Sequence, residues 1–293
     1  MPLIRTALAS CAALALAGCA STPPVADAPG CPTDAQVADL AQRYVAMQPV
    51  PNPAADMGAA AAICGRDKLT RRLGQHFGRV VGYKAGLTNT AVQQRFNYPN
   101  PVRGTLFERM LLQDGAEVPA RFGTRPVFEA DLAVVVKDSA IHDAKTPLEV
   151  LRHLSAVHPF IELADLAVED PSKLVGAGIA YINVGARSGV MGPGIPVRAD
   201  AAFADALQNM TVRLADASGK ELDSGRGSAI LGHPLNAVVW LADDLRKSGI
   251  RLKAGDVLWL GSFTRLLPPQ AGTAVRATYE GLPGNPSVSV RFR

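Results

Sequence analysis

The run Pro126-Val127-Phe128-Glu129-Ala130-Asp131-Leu132-Ala133-Val134-Val135-Val136 constrains the fold more than any other stretch of this chain. Its β-branched tail specifies a buried strand, and strand side chains alternate between faces, so Glu129 and Asp131 point the same way. Two carboxylates side by side on so apolar a strand repel each other and lose hydration unless a positive charge sits between them. A divalent cation answers that requirement. A third acid, Glu162, lies in the equally apolar run His158-Pro159-Phe160-Ile161-Glu162-Leu163-Ala164-Asp165-Leu166 and would complete a three-oxygen face. All-oxygen ligation of this kind suits magnesium or manganese rather than zinc. On the residues alone, a blander reading stays open, with the acids on the solvated face of an edge strand and Glu162 in a loop.

With 293 residues, 48% hydrophobic and 19% charged, the chain can build one large domain or a domain with a small appendage. Its first residues read as an address. Arg5 precedes an apolar run from Thr6 to Ala17, and Leu16-Ala17-Gly18-Cys19 has the form of a bacterial lipobox. The run is too short to span a bilayer as a helix, so residues 1–18 are expected to be a signal peptide and Cys19 the acylated mature N-terminus. Ala20 after the cysteine, rather than Asp, points to the periplasmic face of the outer membrane. Removing the signal lowers the formal charge from +4 to +3. Basic residues are scattered and aromatics make up only 5%, which argues against a nucleic-acid partner. Once Cys11 leaves with the signal and Cys19 takes lipid, Cys31 and Cys64 remain, and in an oxidising periplasm a disulfide between them is the economical expectation.

Residues 19–30, rich in proline, read as a flexible tether. Thr33-Asp34-Ala35-Gln36 offers a capping box for a helix from Asp34 to about Met47, and an alanine-rich stretch leads to a second helix through Leu73. Residues 31–77 are therefore expected to form a small helical cap and residues 78–293 a mainly β domain. Within the latter, Thr146-Pro147-Leu148-Glu149 starts a helix to about Val157, and another begins near Asp170-Pro171. Pro234 to Ser248 is a third, with Leu235, Val238, Ala242 and Leu245 on one face. Val257 to Leu260 is a buried strand, and Ala274–Tyr279 pairs with Ser287–Phe292.

Lys84 sits among apolar residues beside glycines, where burial lowers a lysine toward the range useful for proton transfer. Ser224-Gly225-Arg226-Gly227-Ser228, followed by Leu231-Gly232-His233-Pro234, packs small residues ahead of a helix N-terminus that favours an anion, unless it is simply a tight turn. No Gly-x-Ser-x-Gly elbow, His-Glu-x-x-His or phosphate loop is present. The five histidines lack ligand spacing, with His233 the one to watch.

Gly82-Tyr83-Lys84-Ala85-Gly86-Leu87-Thr88, Gly104-Thr105-Leu106-Phe107, Phe128-Glu129-Ala130-Asp131, Glu162 and the Ser224 to Ala237 segment together resemble the hydratase/decarboxylase branch of the fumarylacetoacetate hydrolase superfamily, with 2-keto-4-pentenoate hydratases the nearest pattern. The resemblance runs from about Gly78 to Phe292. It implies an α+β fold, mainly β, with a mixed β-sandwich or β-roll core, assembled as homo-oligomers. It also implies that Glu129, Asp131 and Glu162 hold magnesium or manganese, although the family's usual middle ligand is Glu where this chain has Asp. Lys84 matches the family's catalytic lysine. Asn183, Ser224, Gly225, Ser228 and Ser262 match positions that face the substrate.

The implied reaction is that of a lyase: hydration of a small 2-oxo or 2-hydroxydienoic acid such as 2-hydroxypenta-2,4-dienoate through a metal-stabilised enolate, with Lys84 donating or relaying the proton. Two departures stand out. The branch usually carries an acid just before Gly-Thr-Leu-Phe as the lysine's partner, whereas this chain has Val102 and Arg103. Where the family tends to have threonine before the late glycine, this chain has Leu260-Gly261-Ser262, with Arg265 nearby, which points to a different acid. Three alternatives follow: a 2-oxo acid decarboxylase, an acylpyruvate-type carbon–carbon hydrolase with His158 or His233 as base, and a periplasmic lipoprotein that binds an organic acid without turnover.

Overall fold

The computed structural model describes residues 27–293. The segment expected to be a signal at residues 1–18, Cys19 expected to carry lipid, and the expected tether up to residue 26 lie outside the described residues. No helix among the described residues is long and apolar enough to cross a membrane.

The chain opens with α1 (Asp34–Val45), whose capping box forms as written: Thr33 Oγ1 accepts from the Gln36 amide and Gln36 Oε1 accepts from the Thr33 amide. Helix α2 (Ala59–Phe77) follows and ends at Gly78, which takes φ 89°. Cys31 and Cys64 are joined in a disulfide, with Cα atoms 5.7 Å apart, that fastens the start of α1 to α2. Gly65 beside it is needed, since a Cβ there would come within 2.7 Å of the Tyr181 ring.

The strands then run β1 (Val80–Gly86), β2 (Val102–Phe107), β3 (Leu111–Gln113), β4 (Ala116–Val118), β5 (Pro126–Val136) and β6 (Leu154–Asp165). After them come β7 (Ala186–Met191), β8 (Ile195–Pro196), β9 (Thr211–Asp216), β10 (Glu221–Arg226), β11 (Val257–Trp259), β12 (Ala274–Glu280) and β13 (Ser287–Phe292). Five helices are interspersed: α3 (Thr90–Arg95), α4 (Pro147–Arg152), α5 (Gly176–Tyr181), α6 (Ala201–Asn209) and α7 (Leu235–Lys247).

Two sheets result. The larger runs β2-β1-β11-β5-β6-β7-β3 with β8 on β6, and the smaller runs β10-β9-β12-β13-β4. The pairings β1–β11 and β3–β7 are parallel, so the larger sheet is mixed. Strand β5 explains the layering. Its Phe128, Ala130, Leu132, Val134 and Val136 point into a core shared with the smaller sheet and with α4, α6 and α7. Its other face looks toward a second core, where α1, α2 and α5 lie on the sheet and Leu69, Leu73, Phe107, Phe160 and Trp259 pack together. The N-terminal helices thus share a core with the larger sheet, and β5 is covered on both faces.

Three local expectations change. The helix starting at Pro147 stops at Arg152 instead of running to Val157, because Leu154 onward is claimed by β6, which pairs with β5 along its length. Near Asp170-Pro171 the chain makes only a 3-10 turn, Pro171–Lys173, before α5 begins at Gly176. The stretch Ser224–Ser228 is not a turn at a helix N-terminus. Ser224 to Arg226 end β10, a 3-10 turn follows, and α7 starts only at Leu235.

Candidate active site

The register of β5 on β6 sets Glu129 directly opposite Glu162 and Asp131 opposite Phe160. Residues opposite one another on antiparallel strands share a face, as do Glu129 and Asp131 along one strand. The three acids therefore converge, with a carboxylate oxygen from each lying within 4.8 Å of the others. Asp131 and Glu162 are fully buried.

A buried carboxylate needs partners, and these have too few. Asp131 Oδ1 accepts from the Leu132 amide and, at 2.9 Å, from the Gly261 amide, while Asp131 Oδ2 and Glu162 Oε2 have no hydrogen-bond partner. Burial, reinforced by the Glu162 charge, pushes Asp131 up to about 8 and Glu129 well above the usual carboxylate range. Orphaned oxygens, converging geometry and an all-oxygen donor set fit a divalent cation of the magnesium or manganese kind.

Lys84 reaches the same place from β1. Its ammonium pairs with Glu162 Oε1 and donates to the Val184 carbonyl at 3.1 Å, and the side chain is only 4% exposed. The lysine's acidic partner is thus Glu162. Val102 and Arg103, the positions where an acid was missed, play no part in it. Val102 packs in the core, and Arg103 turns to α7, with Nε 2.5 Å from Asp244 and Nη2 2.9 Å from Ser248. Gly104, opposite Lys84, leaves the room, because a Cβ there would come within 2.9 Å of the lysine stem and 2.8 Å of the Asn183 carbonyl.

Lys84, Glu129 and Glu162 line a cavity of about 500 Å³, while the buried Asp131 lies beside them without reaching its lining. Leu87, Ile179, Val184 and Phe263 contribute apolar walls; the segment after β1 brings Thr88 and Asn89, α3 brings Arg95, and the loop after β11 brings Arg265. Ser224 and Ser262 line the cavity; Asn183, Gly225 and Ser228 do not. Asn183 spends its amide on β2, accepting from the Thr105 amide at 2.7 Å and donating to the Thr105 carbonyl at 2.9 Å, and so presents the Val184 carbonyl to Lys84. Gly225 lets β10 approach the loop that carries Ser262, since a Cβ would sit 2.0 Å from the Phe263 carbonyl. Ser228 is exposed on the 3-10 turn.

The histidines are engaged elsewhere. His158 bonds to the Gly192 carbonyl, and His233 accepts from the Leu235 amide to cap α7, so neither faces the cavity as a base. The residues that sequence reasoning passed over are Thr88, Asn89, Arg95 and Ile179. Only the proximity of Thr88 and Asn89 to Lys84 in the chain could have drawn attention to them.

No model of a protein family matches the chain. Relatives are nonetheless clear. A 2-hydroxyhexa-2,4-dienoate hydratase of Comamonas testosteroni is 32% identical over 206 residues, covering 70% of this chain and 76% of that protein. A 2-keto-4-pentenoate hydratase of Dechloromonas aromatica is 33% identical over 215 residues, covering 71% and 77%. Among solved structures, 4-oxalocrotonate decarboxylase from Pseudomonas putida G7 superposes with TM-score 0.78 as its complex with magnesium and adipate and 0.75 as that with calcium and acetate. Those superpositions cover 89% of this chain, at 24% and 26% identity, and 97% and 99% of the decarboxylase chains. Two packed sheets with a carboxylate-floored cavity on the larger one define the class, an α+β enzyme of mainly β architecture. Within that class the chain belongs to the 2-keto-4-pentenoate hydratase family, a family of hydro-lyases.

Proposed function

We propose that the protein hydrates a small 2-hydroxydienoic acid of the 2-hydroxypenta-2,4-dienoate kind, with a divalent cation held by Glu129, Asp131 and Glu162. The observation that carries this reading is the buried Lys84 ammonium paired to one of three converging carboxylates, two of which line the cavity. Support also comes from the hydratase relatives and from the calcium complex of the decarboxylase, 26% identical to this chain. When bound, magnesium or manganese would supply Lewis-acid stabilisation of negative charge on the substrate's 2-oxygen.

The chain's own residues do the rest. Lys84 Nζ delivers a proton to C5 of the dienol and takes up the proton released by the 2-hydroxyl, giving a conjugated 2-oxo acid; water then adds its hydroxyl at C4 and its proton at C3. Glu162 holds the lysine in place, and the Val184 carbonyl fixes its second hydrogen bond. The apolar walls hold the alkenyl chain and limit bulk water. A decarboxylase is the second reading, favoured by the likeness of fold to 4-oxalocrotonate decarboxylase and by the absence of a histidine from the cavity lining.

The test is to follow loss of dienol absorbance by the full chain with manganese and 2-hydroxypenta-2,4-dienoate, beside Glu129→Ala. Metal-dependent loss in the unmutated protein alone, with a product heavier by one water, supports hydration. Metal binding with carbon dioxide release would replace it with the decarboxylase.

We further propose that Cys19 is acylated and anchors the protein at the periplasmic face of the outer membrane, and that the folded part assembles as a homo-oligomer. The lipobox-like Leu16-Ala17-Gly18-Cys19 supports the first. Mass spectrometry of the N-terminal peptide tests it: an unmodified cysteine, or uncleaved Met1, would refute it.

A further inference from the structure

We propose that the turn Asn183–Gly185 is a strained seat for the Lys84 ammonium and that Asn183 is the positioning residue that keeps this seat in register with the lysine, which rests on the hydratase reading's use of Lys84 as proton donor. Asn183, Val184 and Gly185 follow one another at φ 55°, 57° and 63°, all in the left-handed region. Glycine accepts that conformation and asparagine tolerates it. Valine, branched at Cβ, is strongly disfavoured there. Such a backbone persists only where its surroundings over-determine it.

What the turn holds up is a carbonyl. The Val184 carbonyl accepts from Lys84 Nζ at 3.1 Å, and among the described residues Glu162 is the ammonium's only other acceptor. One strand fixes both partners of that bond. Lys84 pairs across the sheet with Gly104 of β2, and the next residue, Thr105, gives its amide and its carbonyl to the Asn183 side chain at 2.7 and 2.9 Å. Strand β2 is the edge of the larger sheet, so the Asn183 amide stands where a further strand would be. Asn183 is only 1% exposed, which shields these bonds from water. The fit is close: a Cβ on Gly86 would come within 2.3 Å of Val184 Cγ1, and one on Gly104 within 2.8 Å of the Asn183 carbonyl. Glu129 and Asp131 lie beside Glu162 and would draw a loosely held ammonium toward themselves. A neutral carbonyl tied to β2 opposes that pull and keeps Nζ at the cavity lining, where a substrate can take its proton.

The experiment uses Asn183→Gly in the full chain, since glycine accepts the left-handed turn while the clamp on Thr105 is lost. With manganese and 2-hydroxypenta-2,4-dienoate, kcat should fall by about tenfold or more while KM and manganese affinity stay within about twofold. A lower melting temperature with kcat unchanged would mean a merely structural role and overturns the proposal. Competitive acetylation of the metal-free protein by acetic anhydride, read by mass spectrometry, tests the seat without turnover. Lys84 should label about tenfold faster in Asn183→Gly, as expected for loss of one hydrogen bond to a charged group, with the exposed Lys137 and Lys220 unchanged. Unchanged Lys84 labelling overturns the proposal whether or not the protein is a hydratase. No turnover by the unmutated protein, together with faster labelling in the variant, sinks the hydratase reading alone and sustains the seat. Should Asn183→Gly fail to fold, Val184 supplies the test: Val184→Gly should melt above Val184→Ala, the reverse of the usual order, because only glycine relieves the left-handed strain. Val184→Ala melting higher overturns it.

Discussion

Glu129 and Glu162 stand directly across from each other on β5 and β6, and both face the strand neighbour Asp131 and the ammonium of Lys84. Three acids against one cation in a buried place leave charge uncompensated. Burial raises Asp131 from 3.8 to about 8 and raises Glu129 as well. The folded state therefore holds these protons more tightly than the unfolded chain. The stability they contribute is fully present below the ordinary carboxylate range and is lost as pH climbs to about 8.

A bound divalent cation favours the ionised acids instead, so metal binding competes with protons. The rise in melting temperature produced by manganese over chelator should be small near the ordinary carboxylate range and grow steadily up to about pH 8. Thermal melts across that window check it. A manganese effect that is flat with pH, or that shrinks as pH rises, would remove these acids as the binding groups.

Lys84 faces three acids at a buried site, so Lys84→Met should cost about 3–5 kcal/mol in metal-free protein; Glu162→Gln, which leaves the lysine Glu129 and Asp131, should cost less, and the double substitution should cost clearly less than the sum. Urea denaturation of the four proteins closes the cycle; additive losses would mean that the two groups do not interact.

Tyr279 bridges β5 and β6 at the pair Asp131 and Phe160: the Phe160 amide donates to the Tyr279 hydroxyl at 3.0 Å, and the hydroxyl in turn donates to the Asp131 carbonyl. Tyr279→Phe should cost about 1–3 kcal/mol, because it orphans buried backbone groups beside a site acid. It should also weaken manganese binding measurably, and an unchanged metal affinity would show that the hydroxyl does not position Asp131.

The Cys31–Cys64 bond closes a loop over a sequence separation of 33 residues. Replacing both cysteines with serine should lower stability by about 2–4 kcal/mol. A reducing agent should lower the melting temperature of the unmutated protein and leave the double variant unaffected; equal sensitivity of both would indicate another reducible group.

Much of the local structure was legible in the chain. The alternation of Pro126–Val136 put Glu129 and Asp131 on one face, the Thr33–Gln36 box marked the start of α1, and the apolar spacing of Leu235, Val238, Ala242 and Leu245 marked α7. These signals are carried by neighbouring residues, whose periodicity is fixed by backbone geometry alone. The same patterns misled where a distant strand intervened. The helix from Pro147 ended early because β5 offered residues from Leu154 onward a full ladder of hydrogen bonds.

What the tertiary structure decided is which groups meet. That Glu162 lies opposite Glu129 depends on the register of two strands joined through a helix, and a slip of one residue would have sent it to the other core. Lys84 finds its acid in Glu162 rather than near Val102, Arg103 is drawn off to α7, Asn183 serves the backbone of β2, and His158 and His233 are spent on a carbonyl and a helix cap. The sequence by itself determined strand faces, helix starts and the kind of chemistry three buried acids and a lysine can do. Register and packing, which minimise the energy of the whole core at once, alone decided their partners and brought Arg95 and Arg265 to the same cavity.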